Sequence, residues 1–357
     1  MLHVQRNGHY PGGTRTVLVA GGAGFVGSHL CDALLAEGHR VICVDSFITG
    51  STANIQPLLN HPDFRLVEAD ICDLQTISNA VKETIDQIYN LACAASPPQY
   101  QADPVHTMMT CVQGTGNLLT LAEQHGASLL QASTSEVYGD PAEHPQREDY
   151  RGNVSCTGPR ACYDEGKRAA EALCFDLLRA GRVDARVARI FNTYGPRMQP
   201  DDGRIVSNLV VQALSGRSLT IYGSGEQTRS FCFVSDLVRG LMALMNVDPN
   251  PGQPVNLGNP GEFTINELAD MVTGMVKTAG DIVYRPLPQD DPQRRKPDIA
   301  RAEGLLGWRP NVPLAEGLRQ TIDWFETALA ERRTAVAGEK GLARRATPKP
   351  TSVPVGV

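Results

Sequence analysis

A five-residue apolar run, TVLVA (16–20), passes directly into GGAGFVG (21–27). This junction restricts the fold more tightly than anything else in the chain. The run reads as a buried strand, and Gly21, Gly24 and Gly27 form a G-x-x-G-x-x-G pattern on the turn that follows. A helical stretch through His29, Leu30, Ala33 and Leu34 closes at Gly38, and RVICVD (40–45) reads as a second strand. Strand, glycine turn, helix and strand in this order form a βαβ unit with parallel strands. Glycine suits the turn because the bend is tight and backbone there can approach a pyrophosphate closely. The free N–H groups and positive dipole end of the helix favour the same anion. The second strand ends on Asp45, whose carboxylate can accept hydrogen bonds from both ribose hydroxyls and repels a 2′-phosphate. The unit predicts a dinucleotide site that takes NAD in preference to NADP. Asp70 and Ile71, after the third strand, are candidates for contact with the adenine ring.

The same rhythm continues through the first half. FRLVEAD (64–70), QIYNLA (87–92), SLLQAS (128–133) and DARVARIFN (184–192) read as strands, with helices near 74–84, 104–125 and 159–180. Strands alternating with helices predict an α/β fold, a Rossmann-type doubly wound parallel sheet. After about residue 195 short apolar segments alternate with loops rich in Gly, Pro and charge, which predicts a smaller C-terminal α/β substrate-binding lobe. The expected division is an NAD-binding domain over 14–194 with a return segment near 232–258, and a nucleotide-sugar lobe over 195–231 and 259–332. PVNLGNP (254–260) reads as a strand of that return. Segments 1–13 and 334–357 are low in apolar content and read as disordered.

Bulk properties exclude several classes. The 357 residues carry a formal charge of −6, which gives no reason to expect nucleic acid or an anionic membrane as partner. No apolar run reaches the roughly 18 residues a membrane-spanning helix needs. The nine cysteines are odd in number and scattered without a C-x-x-C pair, so reduced thiols in a cytoplasmic protein are expected, with no disulfide framework and no metal site.

Two further stretches carry chemistry. Tyr163 and Lys167 form Y-x-x-x-K inside CYDEGKRAAE, four residues apart and therefore on one helix face. An ammonium beside a phenol favours phenolate, so this pair predicts a tyrosine general base with a lowered pKa. STSEVYGD (133–140) places Thr134, Ser135 and Glu136 at the end of a predicted strand. On its own that is either a turn with a capping acid or an active-site edge.

Together with GGAGFVGSHL, ASPPQY, ARIFNTYGPRM, YGSGEQTRSF and DDPQRRKPDI, these stretches closely resemble the UDP-glucuronic acid decarboxylase family of extended short-chain dehydrogenases/reductases. The resemblance spans roughly residues 16–330. It implies NAD-dependent decarboxylation of UDP-glucuronate to UDP-xylose through a 4-keto sugar, with NAD regenerated. It also implies a homodimer formed through the helices near 104–125 and 159–180. By position, Thr134 would hydrogen-bond the sugar 4-hydroxyl, Tyr163 would be the base, and Lys167 would partner it and hold the nicotinamide ribose. Ser135 and Glu136 match the Ser-Glu pair of the decarboxylases, and Arg295 matches an arginine near the substrate carboxylate. Tyr100, Asn192, Arg204, Tyr222 and Arg229 fall where related enzymes contact the nucleotide sugar. Phe25, Val26 and Leu91 join the glycines around the cofactor.

Related 4,6-dehydratases carry Asp-Glu after the threonine. Ser135 removes one half of that pair, which speaks against dehydration. A 4-epimerase, a decarboxylase that releases the 4-keto pentose, and a non-catalytic NAD sensor are the other readings. Two departures from the family pattern lie near the cofactor: Cys111 stands where Asn is usual, and Ser46 follows Asp45 where Asn is more common.

Overall fold

The computed structural model describes residues 13–286 and 294–346. Its centre is a seven-stranded sheet. Strands β1 (Thr16–Ala20), β2 (Arg40–Asp45), β3 (Phe64–Glu68), β4 (Gln87–Asn90), β5 (Ser128–Thr134) and β6 (Asp184–Ile190) are joined at one edge by Val255–Leu257. The spatial order is Val255–Leu257, β6, β5, β4, β1, β2, β3, and every pairing is parallel. The direction of strand succession therefore reverses between β1 and β4, where doubly wound sheets bind their ligands.

Burial on both faces explains the continuous apolar runs. Val17 and Val19 join one core cluster with Leu30, Cys31 and Leu34 of helix α1 (Phe25–Ala36) and with Leu237 and Leu241 of the helix Val234–Asn246. Leu18 and Ala20 join the other, with Ile77, Leu118, Leu119 and Cys174. Successive residues of β1 thus feed opposite faces, and neither face can be polar.

The stretch expected as one helix near 104–125 is helical throughout but not uniformly α. Pro104–Met109 passes into a π turn, Thr110–Gly114, and then into Thr115–His125. Asp103 caps its start by accepting from His106 N–H at 3.0 Å, and Gly126 ends it at φ 66°. Inside the π turn Gly114 lies so close to Ile71 that an added Cβ would sit 2.5 Å from the Ile71 side chain.

After β6 the chain builds smaller pieces. Leu219–Tyr222 pairs with Ile282–Arg285, and Thr228–Ser230 lies between Glu262–Thr264 and Arg294–Arg295. The helix Ile265–Met275 starts with a capping box between Thr264 and Glu267. The last helix runs Leu314–Ala346. Disorder from 334 was expected from low apolar content, yet the helix continues to Ala346. The stretch 330–346 is rich in Ala, Glu, Lys and Arg, residues of high helix propensity. Segments 1–12 and 347–357 lie outside the described residues.

A buried ion pair ties the helix Ala161–Arg179 to the sheet. The Arg189 guanidinium on β6 donates to both Glu171 carboxylate oxygens, at 2.9 Å from Nε and 2.8 Å from Nη2. Ser133 Oγ on β5 donates to the same carboxylate at 2.5 Å. Removing one partner leaves a buried charge unpaired. Glu171→Ala should lower the unfolding free energy by about 3–5 kcal/mol, read from urea denaturation.

Candidate active site

Every site residue expected from the sequence except Tyr100 lines one cavity of about 840 Å³ at the C-terminal ends of the strands. Its floor at β1 is built by glycine. Gly21 has φ +77°, and a Cβ there would lie 2.8 Å from the Leu91 and Ala92 backbone; a Cβ on Gly27 would lie 2.0 Å from Gly21 O. Gly24 heads α1 with no side-chain cap, and the first turn of the helix holds no acid. Open backbone and an uncompensated helix N-terminus fit a pyrophosphate.

Asp45 ends β2 beside this turn. Its Oδ2 accepts from Ala23 N–H at 2.9 Å and its Oδ1 from Phe47 N–H at 2.8 Å. Burial raises its pKa against those two hydrogen bonds. Each oxygen retains lone pairs toward the cavity, as a ribose diol requires. Asp70 accepts from Cys72 N–H at 2.8 Å and pairs with His106 Nε2 at 2.7 Å. Partial burial opposes ionisation of Asp70, and these two contacts outweigh it and lower its pKa. His106 was not anticipated. It lies 36 residues from Asp70 in sequence, and only the fold joins them. Ile71, Leu91, Phe25, Val26 and Ser46 complete this half of the cavity.

The catalytic half is assembled where β5 ends. Thr134 heads a one-turn 3₁₀ helix, Ser135–Tyr138, and its hydroxyl accepts from Glu136 N–H at 3.2 Å. Tyr163 comes from the first turn of Ala161–Arg179 and hydrogen-bonds Thr134. Lys167 Nζ donates to Ala132 O at 3.0 Å and stands 5.7 Å from the Tyr163 ring centroid. The expected lowering of the phenol pKa by this lysine is not what the structure has. Burial, with Cys93 and Glu136 nearby, holds the Tyr163 phenol well above its ordinary value, and the Thr134 hydrogen bond only partly offsets that. Desolvation is a tertiary effect that a four-residue spacing does not report.

Tyr100 is also corrected. It is fully buried and outside the cavity lining, so it is not placed to touch a nucleotide sugar. Its ring stacks on Tyr163 with centroids 4.9 Å apart and planes 2° from parallel. Its hydroxyl accepts from Arg160 Nε at 2.9 Å. Cys111 lies in the π turn behind Tyr163, 3.5 Å in Sγ–Sγ distance from Cys93.

Glu136 occupies a clamp. Its Oε1 accepts from Arg160 Nη2 and from Arg295 Nη1, each at 3.3 Å. Burial opposes its ionisation, and the Arg295 and Arg160 charges outweigh it and hold the pKa below the usual value. Arg160 and Asp164 were missed by the sequence reading although both flank Tyr163 in RACYDE (160–165). Arg160 precedes Tyr163 by three positions, a helical spacing that was a usable signal.

Of the remaining expected residues, Arg229 and Arg295 lie on paired strands in direct register. Arg229 is buried, Arg204 pairs with Asp202, and Tyr222 is half-exposed at the cavity edge. Asn192 lines the wall, and its carbonyl accepts from Cys232 N–H at 2.9 Å.

A model of the NAD dependent epimerase/dehydratase family matches residues 17–258. The chain is 53% identical over 315 residues to UDP-glucuronic acid decarboxylase 1 of Xenopus tropicalis, covering 88% of this chain and 73% of that protein. It is 55% identical over 309 residues to UDP-glucuronic acid decarboxylase 4 of Arabidopsis thaliana, covering 87% and 68%. The chain belongs to the UDP-glucuronic acid decarboxylase family. Among solved structures, UDP-glucuronic acid 4-epimerase from Bacillus cereus, in complex with UDP-glucuronic acid and NAD, aligns with TM-score 0.78 at 28% identity, covering 88% of this chain and 99% of that one. Of the two unusual positions in this chain, Ser46 faces the cavity and Cys111 packs against Gly166.

Asp45→Ala removes the only carboxylate at the end of β2. It should weaken NAD binding roughly 10- to 100-fold, about the worth of one charged hydrogen bond, in a fluorescence titration.

Proposed function

We propose that the protein decarboxylates UDP-glucuronate with NAD as cofactor, passes through a 4-keto sugar and yields UDP-xylose. The observation that carries this reading is the clamp: Glu136 lies between Arg160 and Arg295, in the cavity that holds Thr134 and Tyr163. Two guanidiniums suit a substrate carboxylate, because each planar fork can donate paired hydrogen bonds. Ser135 follows Thr134, so the second acid needed for eliminating water is missing.

When bound, NAD would supply the acceptor and the later donor of the C4 hydride. Gly21, Gly24 and Gly27 would hold its pyrophosphate and Asp45 its ribose hydroxyls, with Phe25, Val26, Asp70, Ile71 and Leu91 around the adenosine half. Lys167 would hold the second ribose and keep Tyr163 in place. Tyr163 takes the C4 hydroxyl proton, and Thr134 orients that hydroxyl. The resulting ketone is β to the C6 carboxylate, so loss of carbon dioxide leaves an electron pair delocalised as an enolate. Thr134 and Tyr163 stabilise its oxygen by hydrogen bonding. Arg295 positions the carboxylate, and Glu136 sets the charge around it. Arg204 and Arg229 bind the diphosphate, with Asn192 and Tyr222 on either side. Tyr100 supports Tyr163 from behind.

A homodimer is part of the proposal. Val105 is 72% exposed and Met109 40% exposed on Pro104–Met109. Apolar side chains so open on a helix suit a partner helix better than water. Residues 195–231 and 259–332 form the nucleotide-sugar lobe, around the domain of 14–194 and its return near 232–258. A cytoplasmic location rests on nine cysteines that all stay free thiols. Among the described residues no helix is long and apolar enough to cross a membrane.

Incubation with UDP-glucuronate and NAD should release carbon dioxide and UDP-xylose, read by mass spectrometry. Recovery of unchanged substrate would refute decarboxylation, and a released 4-keto pentose would remove only the final reduction. Tyr163→Phe should lower kcat at least ~100-fold, the scale of a lost general base. Val105→Glu with Met109→Glu should convert dimer to monomer in analytical ultracentrifugation.

A further inference from the structure

Decarboxylation consumes a proton. A carboxylate and one H⁺ become a C–H bond and carbon dioxide, so one proton must enter at C5 in each turnover. Tyr163 cannot supply it, because its proton comes from the C4 hydroxyl and returns there when the ketone is reduced. The inference therefore rests on the decarboxylase reading and asks which group holds the C5 proton.

The answer lies beside Tyr163. Glu136 Oε1 is occupied by the two arginines. Its Oε2 is buried with no nitrogen or hydroxyl donor among the described residues, and so is Asp164 Oδ1. The two side chains hydrogen-bond to each other. Two carboxyl groups can do so only when one keeps its proton. Glu136 lines the cavity and Asp164 does not. Asp164 is 8% exposed, which leaves it a narrow contact with solvent.

We propose that Glu136 and Asp164 work as one acid, with Asp164 storing the proton that passes through Glu136 to C5 after carbon dioxide leaves. Glu136 meets the sugar; Asp164 is a positioning residue that keeps the proton on the pair. The Asp164 proton crosses to Glu136, and the enolate electron pair takes it to form the C5–H bond. The C4 ketone is restored and Glu136 is a carboxylate again. Asp164 then regains a proton from solvent through its exposed edge.

The electrostatics agree with this geometry. Burial, then the Glu136 charge, pushes the Asp164 carboxyl up to about 8, so it is protonated at neutral pH. The other groups facing the pair are Arg160, Arg295 from the strand Arg294–Arg295, the Tyr100 hydroxyl, Cys162 and Tyr163. With one proton on the pair, two guanidiniums face a single carboxylate. One positive charge is left over for the carboxylate of the substrate. The pair titrates as a unit, so its proton belongs to both residues.

The test compares wild type with Asp164→Asn, which keeps the shape and loses the stored proton. On UDP-glucuronate the variant should lose roughly 100-fold in kcat, the scale of a lost general acid, with KM within about twofold. Wild-type kcat should fall as pH rises through about 8, where Asp164 ionises. That alkaline limb should be missing from the variant. Infrared difference spectra of wild type should show a carboxylic-acid band that disappears over the same pH range and is absent from Asp164→Asn. Unchanged kcat with an unchanged alkaline limb overturns the proposal, and so does a wild-type spectrum without the band. If the variant does not fold, the wild-type band decides. Wild type that releases no carbon dioxide overturns the reaction reading instead, while the band still decides whether the pair holds a proton.

Discussion

The site depends on one buried contact, the Glu171 carboxylate gripped by Arg189 and Ser133. It joins β5, β6 and the helix Ala161–Arg179 at a single point. Thr134 follows Ser133 directly, and on the helix Lys167 lies one turn and Tyr163 about two turns before Glu171. The contact therefore locks the end of β5 against the face that carries the base. Arg189 extends the lock by donating to Tyr138 Oη at 3.1 Å, and Tyr138 Oη donates to Asn256 at 2.7 Å on the edge strand. Buried polar networks are costly when incomplete, and this one is closed across three strands and a helix.

From that base the chain reaches out to finish the site from a distance. Glu136 and Arg295 are 159 residues apart. Their meeting depends on a two-residue strand, Arg294–Arg295, pairing with Thr228–Ser230. The large sheet and its helix place Thr134, Tyr163 and Lys167, and the small sheet places Arg229 and Arg295. Ser135 and Glu136 lie where the two meet.

Much of this was legible in the sequence, because it is written in local pattern. The glycine turn, Asp45 at a strand end and the Tyr163/Lys167 spacing each depend on residues a few positions apart. What was not legible involves desolvation and distant partners. The phenol of Tyr163 shifts opposite to the expected direction because it is buried beside Cys93 and Glu136, and no spacing rule contains burial. Tyr100 had the residue type of a ligand contact but stacks behind Tyr163. Arg160, Asp164 and His106 gain meaning only from Glu136 and Asp70, which the fold brings to them. The π turn at Thr110–Gly114 also escaped a periodicity reading, since one extra residue in a helical turn barely alters the apolar pattern.

The register of Arg295 against Arg229 has one more consequence. Neighbouring parallel strands lie about 4.8 Å apart, held by backbone hydrogen bonds that do not depend on side-chain identity. The two guanidiniums therefore start from Cα positions at a set gauge. Substitution at either position changes what is gripped but not the interval between the grips. The small sheet acts as a caliper at the cavity wall, and whatever the two arginines grip is measured by backbone before any side chain reads its chemistry.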